Sequence, residues 1–219
     1  MTESEMRPVE ELSPSEIEAR SMAIIAQELA ARRERHFSPQ EELVVKRVIH
    51  TTADFDFARQ LIFSDGAVER ALEALRGGAC IVTDTNMARA GINRRSLAAL
   101  GGELYCFMAD EDLANEAKRA GTTRARAAMD KAAGLGKDCI FAVGNAPTAL
   151  LRLYELVKEG RLCPKLIIGV PVGFVNVEAA KERIASLTDT PYIVAMGRKG
   201  GSAVAAAVCN ALLYQICRK

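Results

Sequence analysis

Beyond residue 50 the chain alternates short apolar runs with amphipathic stretches as far as its C-terminus, and this alternation narrows the fold more than any other feature. The runs fall at residues 79–83, 104–108, 139–143, 166–170 and 192–196. Helical periodicity occupies 67–75, 93–100, 113–133 with a break at Gly121, 148–158 and 177–187, and an apolar helix over 202–217 closes the chain. Apolar runs this short, bounded by turn residues, read as strands buried on both faces. Strands separated by helices need crossover connections, so the sheet must be mainly parallel, helix-covered on both sides and right-handed in its crossovers. The expected fold is therefore α/β, doubly wound, with a mainly parallel five-stranded sheet. The pattern leaves the strand order open.

Two helices precede this region. Ser13-Pro14-Ser15-Glu16 and Ser38-Pro39-Gln40-Glu41 each set a capping serine, a first-turn proline and an acid in register. The first helix is predicted to run to about residue 35, with Ile17, Ile24, Ile25 and Leu29 on one stripe and Ser21 among them. The second runs through Leu43, Val44, Val48 and Ile49 to end near His50. No repeat or linker interrupts the chain, which predicts one domain over residues 1–219 with a flexible tail at 1–12.

Charge excludes several function classes. With 29 basic and 28 acidic side chains the net charge is +1, so no broad field draws in nucleic acid or an anionic membrane. An acidic ligand must then be met by local donors. No apolar run nears the ~20 residues of a membrane span, and the polar N-terminus has no signal-peptide core. A cytoplasmic protein is expected. The six cysteines are dispersed, with no Cys-x-x-Cys pair, and read as buried reduced thiols. Together with only two histidines, His36 and His50, they argue against a protein zinc site.

Ligands of open parallel sheets bind beyond the carboxyl ends of the strands. Five connections qualify: 84–86, 110–112, 144–148, 169–173 and 197–202. Three are glycine-rich, which lets backbone N–H groups approach a ligand, and two open helices whose N-termini favour anions. None has the spacing of a nucleotide-binding fingerprint. His50 is the best candidate for proton chemistry: the carbonyl end of its helix, and Asp54 and Asp56 if they lie alongside, would hold the imidazole protonated. Taken singly, His50 reads equally as a helix cap, Ser21 as a hydroxyl bonded to the preceding turn, and Arg124 and Arg126 as solvated charges.

As an ordered set, several segments resemble the precorrin-8X methylmutase family. They are Lys46-Arg47-Val48-Ile49-His50-Thr51-Thr52-Ala53-Asp54-Phe55-Asp56, Thr83-Asp84-Thr85-Asn86-Met87, Ala90-Gly91-Ile92-Asn93, Gly144-Asn145-Ala146-Pro147-Thr148-Ala149-Leu150, Gly169-Val170-Pro171-Val172-Gly173-Phe174-Val175 and Gly197-Arg198-Lys199-Gly200-Gly201-Ser202. The resemblance extends from about Ile17 to the C-terminus. It implies that His50 is the essential histidine, Ser21 an active-site serine and Arg124 a substrate-binding arginine. It further implies a homodimer enclosing a tetrapyrrole, whose ring-C methyl moves from C11 to C12. The wording of 49–56 and of 197–202 is closer to the branch that acts on cobalt-precorrin-8 than to the one that acts on metal-free precorrin-8X. One departure stands out: Ala125 follows Arg124 where relatives commonly have serine.

The substrate contacts expected on this basis are Ser21, Arg124, Asn145, Thr148, Gly173, Arg198, Gly200, Gly201 and Ser202, with Lys199 a further donor. Because the rearrangement is intramolecular, no cofactor or metal of the protein's own is expected; any cobalt belongs to the substrate. Three rival readings stand beside this one: the same rearrangement on metal-free precorrin-8X, a non-catalytic tetrapyrrole carrier, and a nucleotide-binding α/β module.

Overall fold

The computed structural model describes residues 11–32 and 35–217. Most of the expected tail, residues 1–10, lies outside the described residues, as do 33 and 34, over which the first helix was expected to continue. The two opening helices are α1 (Pro14–Arg32) and α2 (Pro39–Thr52). Both start signals act as their sequences require. Ser38 Oγ accepts the Glu41 N–H at 3.3 Å while the Glu41 carboxylate accepts the Ser38 N–H at 2.9 Å, and Ser13 and Glu16 repeat the exchange.

The stripe on α1 is split lengthwise. Ile25 is buried and Leu29 packs against the core, whereas Ile17 and Ile24 remain 51% and 49% exposed with half-buried Ser21 between them. α2 covers only one edge of the stripe, so it is not the single core-facing surface that periodicity alone predicts.

The sheet has six strands rather than five. β1 (Leu61–Phe63) is the additional one, followed by β2 (Cys80–Thr83), β3 (Leu104–Tyr105), β4 (Cys139–Val143), β5 (Leu166–Gly169) and β6 (Tyr192–Ala195), in the order β1-β6-β5-β4-β2-β3. Three residues are too few to display a period, and β1 is held by its pairing rather than by local preference. It runs antiparallel to β6 with Leu61 opposite Ala195; every other pair is parallel. The reversed sense matters, because it sets the entrance of β1 beside the carboxyl end of β6. Whatever precedes β1 is thereby delivered to the rim where ligands bind.

Helices cover both faces. α3 (Phe57–Gln60), α4 (Ala67–Arg76), α5 (Asn86–Gly91), α6 (Arg94–Ala99) and the closing α11 (Ser202–Cys217) join α1 and α2 on one side. α7 (Glu111–Arg119), α8 (Arg124–Ala133), α9 (Pro147–Lys158) and α10 (Val177–Ala185) cover the other. Alternate residues of β4 serve the two cores: Ile140 and Ala142 face the first, Cys139, Phe141 and Val143 the second. The break expected in 113–133 falls at Gly121, whose φ of +62° ends α7. From β2 the chain moves outward to β3, returns across β2 to β4, and continues the opposite way. The switch point therefore lies between the carboxyl ends of β2 and β4.

Candidate functional site at the strand ends

The three glycine loops predicted for one rim are in direct contact there. A Cβ on Gly144 would come within 2.7 Å of Ser202 Cα and 2.8 Å of Gly201 O, so only glycine lets these two loops meet. Gly201 N–H donates to Val170 O at 2.8 Å, and Gly173 N–H donates to Arg198 O at 3.2 Å. The β2 loop joins them through a 2.8 Å hydrogen bond between the Thr85 and Ser202 hydroxyls. Gly173, Gly200, Gly201 and Ser202 thus belong to one continuous surface, capped by the N-terminus of α11, whose first N–H groups have no partner within the helix.

The switch point itself is filled from within. Asp84, 1% exposed, accepts hydrogen bonds from the backbone N–H groups of Gly144, Asn145 and Ala146 at 2.9, 2.8 and 2.7 Å. Burial pushes its carboxyl above the ordinary carboxylate range, and the three amides pull against that shift. Many doubly wound proteins receive a phosphate at this place. Here a nucleotide would have to displace a buried carboxylate of the protein, which counts against the nucleotide-binding reading. Asn145 presents its side chain outward, and Thr148, one residue into α9, accepts a 3.0 Å hydrogen bond from Thr123.

His50 occupies the last turn of α2 and is exposed, with no hydrogen bond among the described residues. Ala53, at φ +52°, stops the helix just beyond it and donates to Ile49 O at 2.7 Å. The aspartates expected beside the imidazole are engaged elsewhere. Lys199 Nζ lies 2.6 Å from both Asp54 Oδ2 and Asp56 Oδ2, and it holds the Asp56 carboxyl below its ordinary range. What Asp54 and Asp56 provide is attachment: they tie the end of the His50 helix to the 197–202 loop. Met196 N–H donating to Gln60 O at 2.8 Å secures the same junction. A groove between α2 and α11, walled by Arg47, Thr51, Ala203, Ala207, Asn210 and Tyr214, runs alongside.

The two candidate arginines have separate fates. Arg124 opens α8 and is exposed, with no ion pair among the described residues, while Thr123 caps the helix by accepting the Arg126 N–H at 3.2 Å. Arg126 turns inward and grips the Glu155 carboxylate with both guanidinium nitrogens, within a network that includes Arg152 and Asp130. Arg198 lies over the Phe174 ring at 5.7 Å, with its Nε 3.3 Å from Glu178.

Sequence reasoning missed two features of this rim. One is its apolar cover: Phe174, Val175 and Met87 are 83%, 77% and 72% exposed. The other is Lys181 of α10, wholly buried below the glycine loop. Its signal in the sequence is a lysine on the face of α10 that also carries Val177, Ala180 and Ile184. Among the described residues no cluster of three or more His, Cys, Asp or Glu side chains could hold a metal ion, and no helix is long and apolar enough to cross a membrane.

Fold and rim define a doubly wound α/β protein of the kind that binds ligands at its strand ends, with glycine loops meeting there and a buried carboxylate filling the switch point. Comparison with known proteins narrows this class. The family described as precorrin-8X methylmutase matches residues 16–215. A cobalt-precorrin-8 methylmutase of Salmonella typhimurium is 46% identical over 206 residues, covering 93% of this chain and 96% of its own. That of Priestia megaterium is 41% identical over 209 residues, 95% and 91% of the two chains. The crystal structure of a precorrin-8x methyl mutase from Thermus thermophilus superposes with a TM-score of 0.83 at 42% identity, over 91% of this chain and 94% of that one. The chain belongs to the precorrin-8X methylmutase family and is an intramolecular transferase.

Proposed function

We propose that this methylmutase acts in the cytoplasm as a homodimer on cobalt-precorrin-8, moving the ring-C methyl from C11 to C12 to give cobyrinic acid in cobalamin biosynthesis. One observation carries the reading: an exposed histidine at a helix end is fastened, through Asp54, Asp56 and Lys199, to a rim where four loops of the sheet meet. Support for the cobalt-bearing substrate comes from the names of the Priestia and Salmonella relatives and from the wording of residues 49–56 and 197–202.

The chemistry asks the protein for orientation and placed charge rather than for a cofactor. A protonated His50 donates to the ring-C nitrogen, draws electron density from that ring and eases migration of the methyl. Arg124, Arg198 and the N-terminus of α11 hold peripheral carboxylates. Ser21 faces the same ligand from α1, while Asn145 and Thr148 border it at the start of α9. Phe174, Val175 and Met87 offer apolar area to the macrocycle. Ile17, Ile24 and Leu43, each about half exposed on α1 and α2, supply apolar surface for a second copy.

The test is incubation with cobalt-precorrin-8 and, separately, with metal-free precorrin-8X while the absorption spectrum is followed. Conversion of the cobalt form to a corrin supports the reading. Conversion of the metal-free form alone assigns the other substrate. Tight binding of either form without conversion would make the protein a carrier.

A further inference from the structure

Among the described residues Lys181 makes no ion pair with a carboxylate, in a place where lysines are rarely found. It lies mid-way along α10 among Val177, Ala180 and Ile184, is fully buried, and carries its ammonium up to the end of β6. There Nζ donates to Gly197 O at 2.7 Å and to Lys199 O at 2.9 Å. Glu178 on the same helix is hydrogen-bonded to Arg198 and reaches the ammonium only through its charge. Burial accordingly pulls the ammonium down to about 8.

The loop explains why a cation is there. Gly197, with φ +74°, turns the chain sharply out of β6, and a Cβ on Gly200 would strike the carbonyls of Val170 and Pro171. A loop pressed this closely onto its neighbour turns carbonyls inward, where no backbone N–H reaches them. Carbonyls left bare in the interior are costly, and one ammonium satisfies both. Between and beyond those carbonyls stand Arg198, exposed, and half-buried Lys199 and Ser202, bonded to Asp54 and Asp56 and to Thr85.

We propose that Lys181 is a positioning residue of the methyl-transfer site: from beneath the rim it clamps the Gly197 and Lys199 carbonyls, and so fixes the loop that presents Arg198 to the substrate and holds Lys199 and Ser202 in their bridges to the His50 turn and the β2 loop. This inference rests on the methylmutase reading for its second half only. The clamp itself is a property of the free protein. Lys181 touches neither substrate nor reacting atoms, and its influence passes through the loop.

Lys181→Met and Lys181→Gln are compared with the wild type, Met removing the donors and Gln keeping an uncharged pair. Hydrogen exchange is measured at the amides of 197–204 without ligand, with the amides of β4 as reference. In Lys181→Met the loop amides should exchange roughly ten- to a hundredfold faster than in wild type while β4 is unchanged, with Lys181→Gln between. On cobalt-precorrin-8, KM should rise by a similar factor and kcat should fall less, because α2, stopped at Ala53, still carries His50 when the bridge through Lys199 slackens. Should Lys181→Met fail to fold, Lys181→Gln carries both readouts. Wild-type exchange in the loop overturns the clamp. Faster exchange with unaltered KM overturns the positioning role. A wild-type protein that turns over neither precorrin form instead defeats the methylmutase reading, and the exchange data still decide the clamp.

Discussion

Lys199 Nζ and the Asp54 carboxylate lie 2.6 Å apart although 145 residues separate them in the chain, and Asp56 completes the bridge at the same distance. The contact is partly exposed, so its net contribution to global stability is small. Its value is geometric. Lys199→Met should leave the melting temperature within about 4 °C of wild type, yet reduce kcat/KM by roughly tenfold as the histidine turn loses its anchor. Thermal melts beside steady-state kinetics separate the two effects. Unchanged kinetics would make the bridge ornamental.

His50→Ala should abolish turnover and spare both folding and binding. The side chain is exposed and makes no hydrogen bond among the described residues, so its removal opens no cavity. Absorbance titration with the corrin product should give near-native affinity. Turnover like that of the wild type would refute the proton-donor role.

Arg124 and Arg126 should divide cleanly between binding and stability. Arg124→Ala removes an unpaired forked donor and should weaken product binding by roughly ten- to a hundredfold, and Arg124→Lys should be nearly as impaired because an ammonium cannot copy two parallel N–H bonds. Arg126→Ala takes one of two arginines from Glu155, leaving Arg152, and should lower the melting temperature while leaving affinity intact. Titrations at fixed salt with parallel melts decide the matter. Near-native affinity in both Arg124 variants would place the carboxylates elsewhere.

At Asp84 the isosteric change should be nearly as harmful as truncation. Each carboxylate oxygen faces backbone N–H groups, so in Asp84→Asn an amide NH2 must meet donors with donors. A loss of about 1–3 kcal/mol is expected for Asp84→Asn and for Asp84→Ala alike, measured by urea unfolding. An Asn variant as stable as wild type would show that the loop does not depend on the carboxylate.

Lys181 should leave a signature in stability against pH. Its folded-state value is lowered to about 8 from an ordinary 10.5. Between those values the unfolded chain holds a proton that the folded protein has released, so on this account stability rises with pH across that window. Cys139 and Cys209, pushed up to about 11 and about 12 by burial, act in the opposite sense above pH 9. The difference between wild type and Lys181→Met isolates the lysine: the wild type should gain on the variant from pH 8 to 10.5. A constant difference would mean the ammonium titrates as if in water.

The sequence disclosed the parts of this protein that are local or repetitive. Five strands, both capping boxes, the break at Gly121 and the helix over 202–217 follow from periodicity and start signals that a few residues carry. β1, α3 and α5 escaped because three to six residues show no period and are held by contacts made elsewhere, as Leu61 is by Ala195. At the rim, glycine content pointed to three loops that do meet; helix position together with resemblance singled out His50, and resemblance alone Ser21 and Arg124. Proximity in sequence misled for Asp54 and Asp56, whose side chains turn towards a lysine of the last loop. Asp84 and Lys181 bond to backbone atoms of other elements, and no single-sequence pattern encodes such a pairing.

The two margins of the sheet set a rule for assembly. β3 contributes two residues and β1 three, so neither flank exposes enough unpaired backbone to recruit another strand. Copies of this chain are thereby barred from growing into a continuous intermolecular ribbon, the usual hazard of a sheet with open sides. Contact between copies is left to side chains on helices and loops, where shape and apolar matching select the partner.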